Sequence, residues 1–157
     1  MSEETIKLIA TNRKARHDYF IEDTLEAGLT LVGSEVKSVR AGHVNLRDAY
    51  VTHRDGEMWL LNMHISSYDR AGHFGHEPLR PRKLLMHRRE IDRWADKVLT
   101  RGYTIVPLRL YLRRGMAKVE IGLARGKRKY DKRQAIAERD AQRRMEREVD
   151  EHRRRQP

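Results

Sequence analysis

Cysteine is absent from the 157 residues. Disulfide frameworks, thiolate metal sites and cysteine nucleophiles are therefore excluded, and nothing argues for secretion. No apolar run approaches the roughly 20 residues of a membrane span. Residues Met1 to Asn12 lack the basic and apolar regions of a signal peptide, so the expected setting is the cytoplasm, with no membrane partner. Phe and Trp occur twice each, and a chain of this length builds one core, with a tail at most. Acidic residues are outnumbered: 23 Asp and Glu face 34 Lys and Arg, a net charge of +11. Solubility needs only a modest charge of either sign; an excess of this size points to a polyanionic partner, nucleic acid first.

Catalytic motifs are as scarce as cysteine. The eight His residues form no HExxH pattern and accompany no nucleophile motif. His73-Phe74-Gly75-His76 is the nearest approach to a metal site, but zinc needs at least a third protein ligand. Gly122 to Arg128 resembles a phosphate loop but has three residues between its glycines instead of four, and Arg where Ser or Thr must hold magnesium. Adjacent acids such as Glu22-Asp23 point to opposite faces of a strand. The expectation is a protein without catalytic residues, cofactor or metal.

A cut after Ala124 separates two compositions. Residues 125–157 hold 13 basic and 7 acidic residues, while residues 1–124 carry both Trp, both Phe and five of the six Tyr. Only the first part can bury a sizeable core, which sets the expected domains: a body, 1–124, and a basic tail, 125–157. In the body, Val106, Leu108, Leu110 and Leu112 alternate as one face of a strand over Thr104 to Leu112, with Pro107 at an edge or bulge. Arg113-Arg114-Gly115 makes a turn into a strand carrying Val119, Ile121 and Leu123. Asp55-Gly56 joins a second hairpin, Arg47 to Arg54 with Glu57 to Met63. An earlier strand should run from Asp18 to Leu31, bent near Ala27-Gly28. Ser34 can cap a short helix with Val36 and Val39 inward, ended by Gly42. A longer helix, His87 to Arg101, has Ile91, Trp94, Ala95, Val98 and Leu99 as its apolar stripe and Gly102 as its stop. Ser66 to Pro81 reads as a loop. Five strands with these helices make the expected fold class mainly β: a small closed OB-type antiparallel barrel with peripheral helices.

The basic clusters are the strongest signal. Arg13, Lys14 and Arg16 stand beside Asn12 and His17 ahead of Tyr19 and Phe20, offering phosphate contacts near aromatic faces, or else a solvated helix with the aromatics in the core. Arg125, Lys127, Arg128, Lys129, Lys132 and Arg133 crowd around Gly126, Tyr130 and Asp131, a density that like-charge repulsion disfavours on a free helix. Beyond them, Gln134 to Arg155 is helix-prone but has only a thin stripe of Ala137, Ala141, Met145 and Val149. That is too little apolar area to offset ordering, so the tail is expected to be disordered when free and helical when bound.

Four blocks together resemble the SsrA-binding protein (small protein B) family: Asn12-Arg13-Lys14-Ala15-Arg16-His17-Asp18-Tyr19-Phe20-Ile21, Gly33-Ser34-Glu35-Val36-Lys37-Ser38-Val39-Arg40-Ala41-Gly42, Arg80-Pro81-Arg82-Lys83-Leu84-Leu85 and Gly126-Lys127-Arg128-Lys129-Tyr130-Asp131-Lys132-Arg133. They occur in order across nearly the whole chain. The resemblance implies an OB-type barrel that binds the tRNA-like domain of transfer-messenger RNA (tmRNA) and brings it to stalled ribosomes for trans-translation. It implies tmRNA-binding roles for Asn12, Glu26, Leu85 and Lys118. It also implies a tail, Gly126 to Arg133, that enters the empty decoding centre and the downstream messenger channel. Elongation factor Tu and alanyl-tRNA synthetase are implied associates through the shared RNA. Two uses stay open for Glu26, hydrogen bonding to a base or ribose or pairing with a nearby Arg. Two stay open for Leu85, packing on an unstacked base or in the core. The alternatives from other classes are a structural rRNA clamp of the ribosome and an RNA-processing enzyme.

Overall fold

A computed structural model describes residues 5–67, 76–127 and 143–147. The chain divides into two units, Met1–Arg125 and Gly126–Pro157. In the second, residues 143–147 form exposed helix; Arg128, Lys129, Tyr130, Asp131, Lys132 and Arg133 lie outside the described residues, as does His73. The elements of the rest are, in chain order, β1 (Ile6–Thr11), α1 (Arg13–Asp18), β2 (Tyr19–Leu29), α2 (Gly33–Arg40), β3 (Val44–Asn45), β4 (Tyr50–Arg54), β5 (Glu57–Leu61), β6 (His64–Ile65), β7 (Arg82–Leu85), α3 (Arg88–Arg101), β8 (Thr104–Arg113) and β9 (Met116–Gly126).

The protein is mainly β, as expected. Neighbouring strands run in the order β1-β8-β4-β5-β7-β2-β9, and β8 also pairs with β9, so six strands close into a ring with β1 attached along β8. β3 and β6 form a separate two-stranded ladder. Both expected hairpins form. Asp55 and Gly56 have φ of 52° and 76°, and Arg114 and Gly115 have 52° and 75°, the paired positive φ of a turn whose twist matches its strands.

Nine strands are described where five were expected. β1 escapes pattern reading because it buries little: Ile6 and Leu8 are exposed. β7 escapes because its first inward residue is a charge, the fully buried Arg82. The long strand begins at Tyr19, not Asp18, because α1 occupies the residues before it, and it ends at Leu29.

The stripe Val106, Leu108, Leu110 and Leu112 does not lie on one face. The register between β8 and β9 shifts between Pro107 and Arg109, so Leu108 is an extra residue and side-chain parity reverses across it. Ile105, Leu110 and Leu112 join the main core inside the ring, whereas Val106 and Leu108 pack outside it with Ala15 of α1 and Ala124. Pro107, which has no N–H to give to a ladder, sits where the ladder is already broken.

α2 starts at Gly33 with Val32, not Ser34, as its N-cap. The cap is made from the other end: Glu35 Oε1 accepts the Val32 N–H at 2.9 Å. Ser34 Oγ instead lies 2.9 Å from His76 Nδ1, and His76 Nε2 lies 2.8 Å from the Ile65 carbonyl oxygen. A carbonyl only accepts, so Nε2 donates to it. Val39 is buried but Val36 only partly, and the inward face is completed by Glu35 and Ser38. Gly42, at φ 80°, follows the helix end. α3 buries Ile91, Trp94 and Ala95 and stops at the left-handed Gly102, but Leu99 is 83% exposed and is no part of the stripe.

Glu35 anchors a buried polar cluster joining α2 to β7. Its carboxylate receives Arg80 and Arg82, and Arg82 donates further to the carbonyls of Met63 at 2.7 Å and Pro78 at 3.2 Å. Burial alone would raise the Glu35 carboxyl, but hydrogen bonds from Arg80, the Val32 amide and Arg82 outweigh it and hold the group below the usual carboxylate range. Burial lowers Arg82, with Glu35 opposing the shift. The cluster fixes the register at which Leu85, three residues after Arg82, reaches the surface.

Candidate nucleic-acid interface

The outer face of the ring along β9, β8, β2 and β7 follows from strand alternation. On β8, Arg109, Tyr111 and Arg113 stand opposite Glu120, Lys118 and Met116 of β9. On β2, Leu25 and Ala27 pack into the main core, which turns Glu26 and Gly28 outward. Gly28 is paired with Leu85 of β7.

The charges on this face are linked. Glu120 accepts from Arg16 at 3.5 Å and from Arg109 at 3.1 Å. Glu26 accepts from the Tyr111 hydroxyl and pairs with Arg113 at 2.9 Å. The Arg109 and Arg113 guanidinium carbons lie 5.1 and 5.8 Å from the Tyr111 ring centre. Burial first, then the Glu26 hydrogen bond and charge, push Tyr111 up to about 12, so its proton stays on the oxygen to be donated. Such surface pairs add little stability; what they supply is orientation. Each acid spans two donors and aligns cations that would otherwise repel. Four cations, Arg16, Arg109, Arg113 and Lys118, share the face with two carboxylates, leaving it net positive.

Beside this lattice lies a groove of about 270 Å³, lined by Gly28, Leu31, Val36, Leu85, Met116 and Lys118 among others. Leu85 is 56% exposed and Met116 60% exposed. A Cβ on Gly28 would come within 3.1 Å of the Leu85 Cβ, so the glycine is what lets β7 lay Leu85 so closely against β2. An apolar floor with an ammonium at its rim suits a base whose phosphate stays in solvent.

The structure thus brings Glu26, Leu85 and Lys118 to one region, with Arg16 joined to it through Glu120. Leu85 is a surface side chain, not a core one, and Glu26 has the Arg-partnered geometry. Arg13 is exposed on α1. Lys14 turns elsewhere and pairs with Asp48 at 3.0 Å. Asn12 is no surface contact: it is 2% exposed and is the N-cap of α1. Its Nδ2 donates to the carbonyls of Leu46 at 3.0 Å and Pro107 at 2.9 Å, and its Oδ1 accepts from the Ala15 amide at 3.1 Å. Gly126 ends β9 and Lys127 follows it; the other expected tail residues are outside the described set. Reading from sequence missed Arg109, Tyr111, Arg113 and Glu120. The available signal was the polar alternation opposite Leu110 and Leu112.

Comparisons with known proteins agree along almost the whole chain. The family described as SmpB protein matches residues 9–151. The SsrA-binding protein of Roseiflexus sp. (strain RS-1) is 63% identical over 95% of this chain and 95% of its own. That of Symbiobacterium thermophilum is 63% identical over 90% of both. A chain from a solved structure described as "tmRNA-SmpB: a journey to the center of the bacterial ribosome" is 48% identical, with a TM-score of 0.64 over 75% of this chain and 83% of that one. With the family match running over residues 9–151 and relatives 63% identical over at least 90% of the chain, the chain belongs to the SmpB protein family.

Proposed function

We propose that this protein binds the tRNA-like domain of transfer-messenger RNA and delivers it to stalled ribosomes for trans-translation. The observation that carries the reading is the outer face: Leu85 and Lys118 line one apolar groove, beside cations held by Glu26, Tyr111 and Glu120. Family membership and the names of the relatives support it. Leu85 meets an unstacked base. Lys118, Arg113 and Arg109 take phosphates, with Arg13 and Arg16 extending the track along α1. Glu26 sets the direction of Arg113, and Asn12 acts by holding α1 in place. The tail, Gly126 to Arg133 and beyond, serves the ribosome: Lys127, Arg128, Lys129, Lys132 and Arg133 meet rRNA phosphates and Tyr130 stacks on a base in the empty decoding centre. The protein works as a binding factor, not an enzyme, in the compartment where ribosomes translate. Elongation factor Tu and alanyl-tRNA synthetase associate through the RNA.

The test is competition binding of the full chain to its host's tRNA-like RNA, with elongator tRNA as competitor. Preference for the tRNA-like RNA, lost at least tenfold in Leu85→Ala and Lys118→Ala while melting temperature holds, is expected. Equal binding of both RNAs would favour a structural rRNA clamp. Affinity should fall on the order of a thousandfold between 50 and 200 mM salt if roughly six phosphates are neutralised. For the tail, a chain ending at Lys127 is preferable to one ending at Ala124, because Arg125 pairs with Glu22 at 2.7 Å on the body. It should keep tRNA-like RNA binding and lose peptide tagging on stalled ribosomes.

A further inference from the structure

With no cysteine in the chain, its only sulfur atoms are those of six methionines, and the fold places them very differently. Met58 and Met63 are sealed in the core at 0% exposure, and Met86 is partly buried against it. Met145 is exposed in the helical stretch of the second unit. Among the described residues of the first unit, Met116 is the one exposed methionine, at 60%. It opens β9 directly after the turn at Arg114 and Gly115, opposite Arg113 of β8 and two residues before Lys118. Strand alternation sets Met116 and Lys118 on the same face, and both line the groove of Leu85. An oxidant arriving from solvent finds this thioether open while those of the core are closed to it. It finds it, moreover, beside two cations and on the apolar floor of the groove. Leucine there would supply similar apolar area with no redox chemistry.

We propose that Met116 is a reversible oxidation site that switches off the Leu85 groove, with hydrogen peroxide or another peroxide as the oxidant. The thioether sulfur gives an electron pair to one peroxide oxygen. An S–O bond forms as the O–O bond breaks, and the second oxygen leaves as water, so that sulfur is oxidised and the peroxide reduced. The product places a polar sulfoxide where an apolar side chain lay. Two consequences follow for the groove. The sulfoxide holds water where a base would otherwise meet Leu85 and Met116. Its oxygen also accepts hydrogen bonds from the Arg113 guanidinium or the Lys118 ammonium, drawing onto the protein cations that would take phosphates. A methionine sulfoxide reductase reverses the step, the oxygen leaving as water while a dithiol is oxidised to a disulfide. This control rests on the RNA-binding role of the groove proposed above and on no property of the tail.

The experiment treats full-length protein with hydrogen peroxide, free and saturated with tRNA-like RNA, maps methionine sulfoxide by peptide mass, and titrates each sample with tRNA-like RNA. Met116 and Met145 should oxidise well ahead of Met58 and Met63, and bound RNA should protect Met116 at least fivefold more than Met145. Oxidation should weaken RNA binding at least fivefold, and methionine sulfoxide reductase with dithiothreitol should restore it. Met116→Leu, whatever its starting affinity, should change less than twofold on the same treatment, while Met145→Leu should respond as the wild type does. Amide spectra before and after treatment serve as the control for folding. Oxidation of Met116 no faster than that of Met58, an affinity loss undiminished in Met116→Leu, or a loss that the reductase does not reverse would each overturn the proposal. Failure of the untreated chain to prefer tRNA-like RNA over elongator tRNA would instead remove the tmRNA reading, whereas affinity and preference retained after complete oxidation of Met116 would remove only the switch.

Discussion

Replacing Asn12 by Ala separates a residue that touches RNA from one that places others. The side chain makes three hydrogen bonds while almost fully buried: two donated to the Leu46 and Pro107 carbonyls, one accepted from the Ala15 amide. Losing the helix cap costs about 1 kcal/mol. Leaving each buried carbonyl without its donor adds at least about 1 kcal/mol, for a total of about 3 kcal/mol. In a chain of this size that lowers the melting temperature by on the order of 10 °C. Because α1 begins at this cap, Arg13 and Arg16 lose their fixed position, so RNA affinity falls as well. The measurement is calorimetry of Asn12→Ala beside RNA titration well below its melting point. Asn12→Asp should be worse, since it keeps the acceptor for Ala15 but sets a carboxylate against two carbonyls. An Asn12→Ala protein that melts with the wild type yet loses RNA affinity would refute the positioning role and make Asn12 a direct contact.

Three further outcomes are expected. Glu35→Gln leaves the buried Arg82 without its counter-charge and should cost about 3–5 kcal/mol near neutral pH. The folded Glu35 carboxyl sits below its ordinary value of 4.5; its contribution is therefore complete above that value and lost as pH falls through the folded one. Acid unfolding of the wild type should accordingly be steeper below pH 4.5 than that of Glu35→Gln, and parallel curves would argue against the linkage. Gly122→Ala puts a Cβ 3.0 Å from Leu108 Cδ1 and 3.1 Å from Ile21 Cγ2, so overpacking beneath α1 should cost about 1–3 kcal/mol in denaturant unfolding. Tyr111→Phe removes one donor from Glu26 and should cost about 1 kcal/mol in stability and several-fold in tRNA-like RNA affinity. An affinity unchanged in that variant would mean that Arg113 needs no fixed Glu26.

How much was legible in the sequence differs from residue to residue. The hairpin turns at Asp55-Gly56 and Arg114-Gly115, the left-handed stop at Gly102 and the stripe Ile91, Trp94 and Ala95 are decided by backbone freedom and helical spacing over a few residues, and they form where the sequence places them. The net charge of +11 is equally independent of folding. The four residue blocks carry the resemblance to the family, because they can be read in order without coordinates.

Tertiary structure decided what depends on partners distant in the chain. Asn12 and Leu85 look alike as candidate contacts, yet one is sealed by carbonyls 34 and 95 residues away and the other is pushed into solvent over Gly28. Leu108 reads as one more inward residue until the bulge beside Pro107 reverses its face. Arg82 breaks every apolar pattern for a strand, and only Glu35, 47 residues earlier, makes its burial tolerable. Glu26 was ambiguous because a carboxylate's role is set by what donates to it, and Tyr111 and Arg113 come from 85 and 87 residues further along. Local conformation and total charge are properties of short stretches and of composition, so the sequence by itself determined them. Burial, the facing of a side chain and the pairing of charges belong to contacts across the ring, which exist only once the chain has closed on itself.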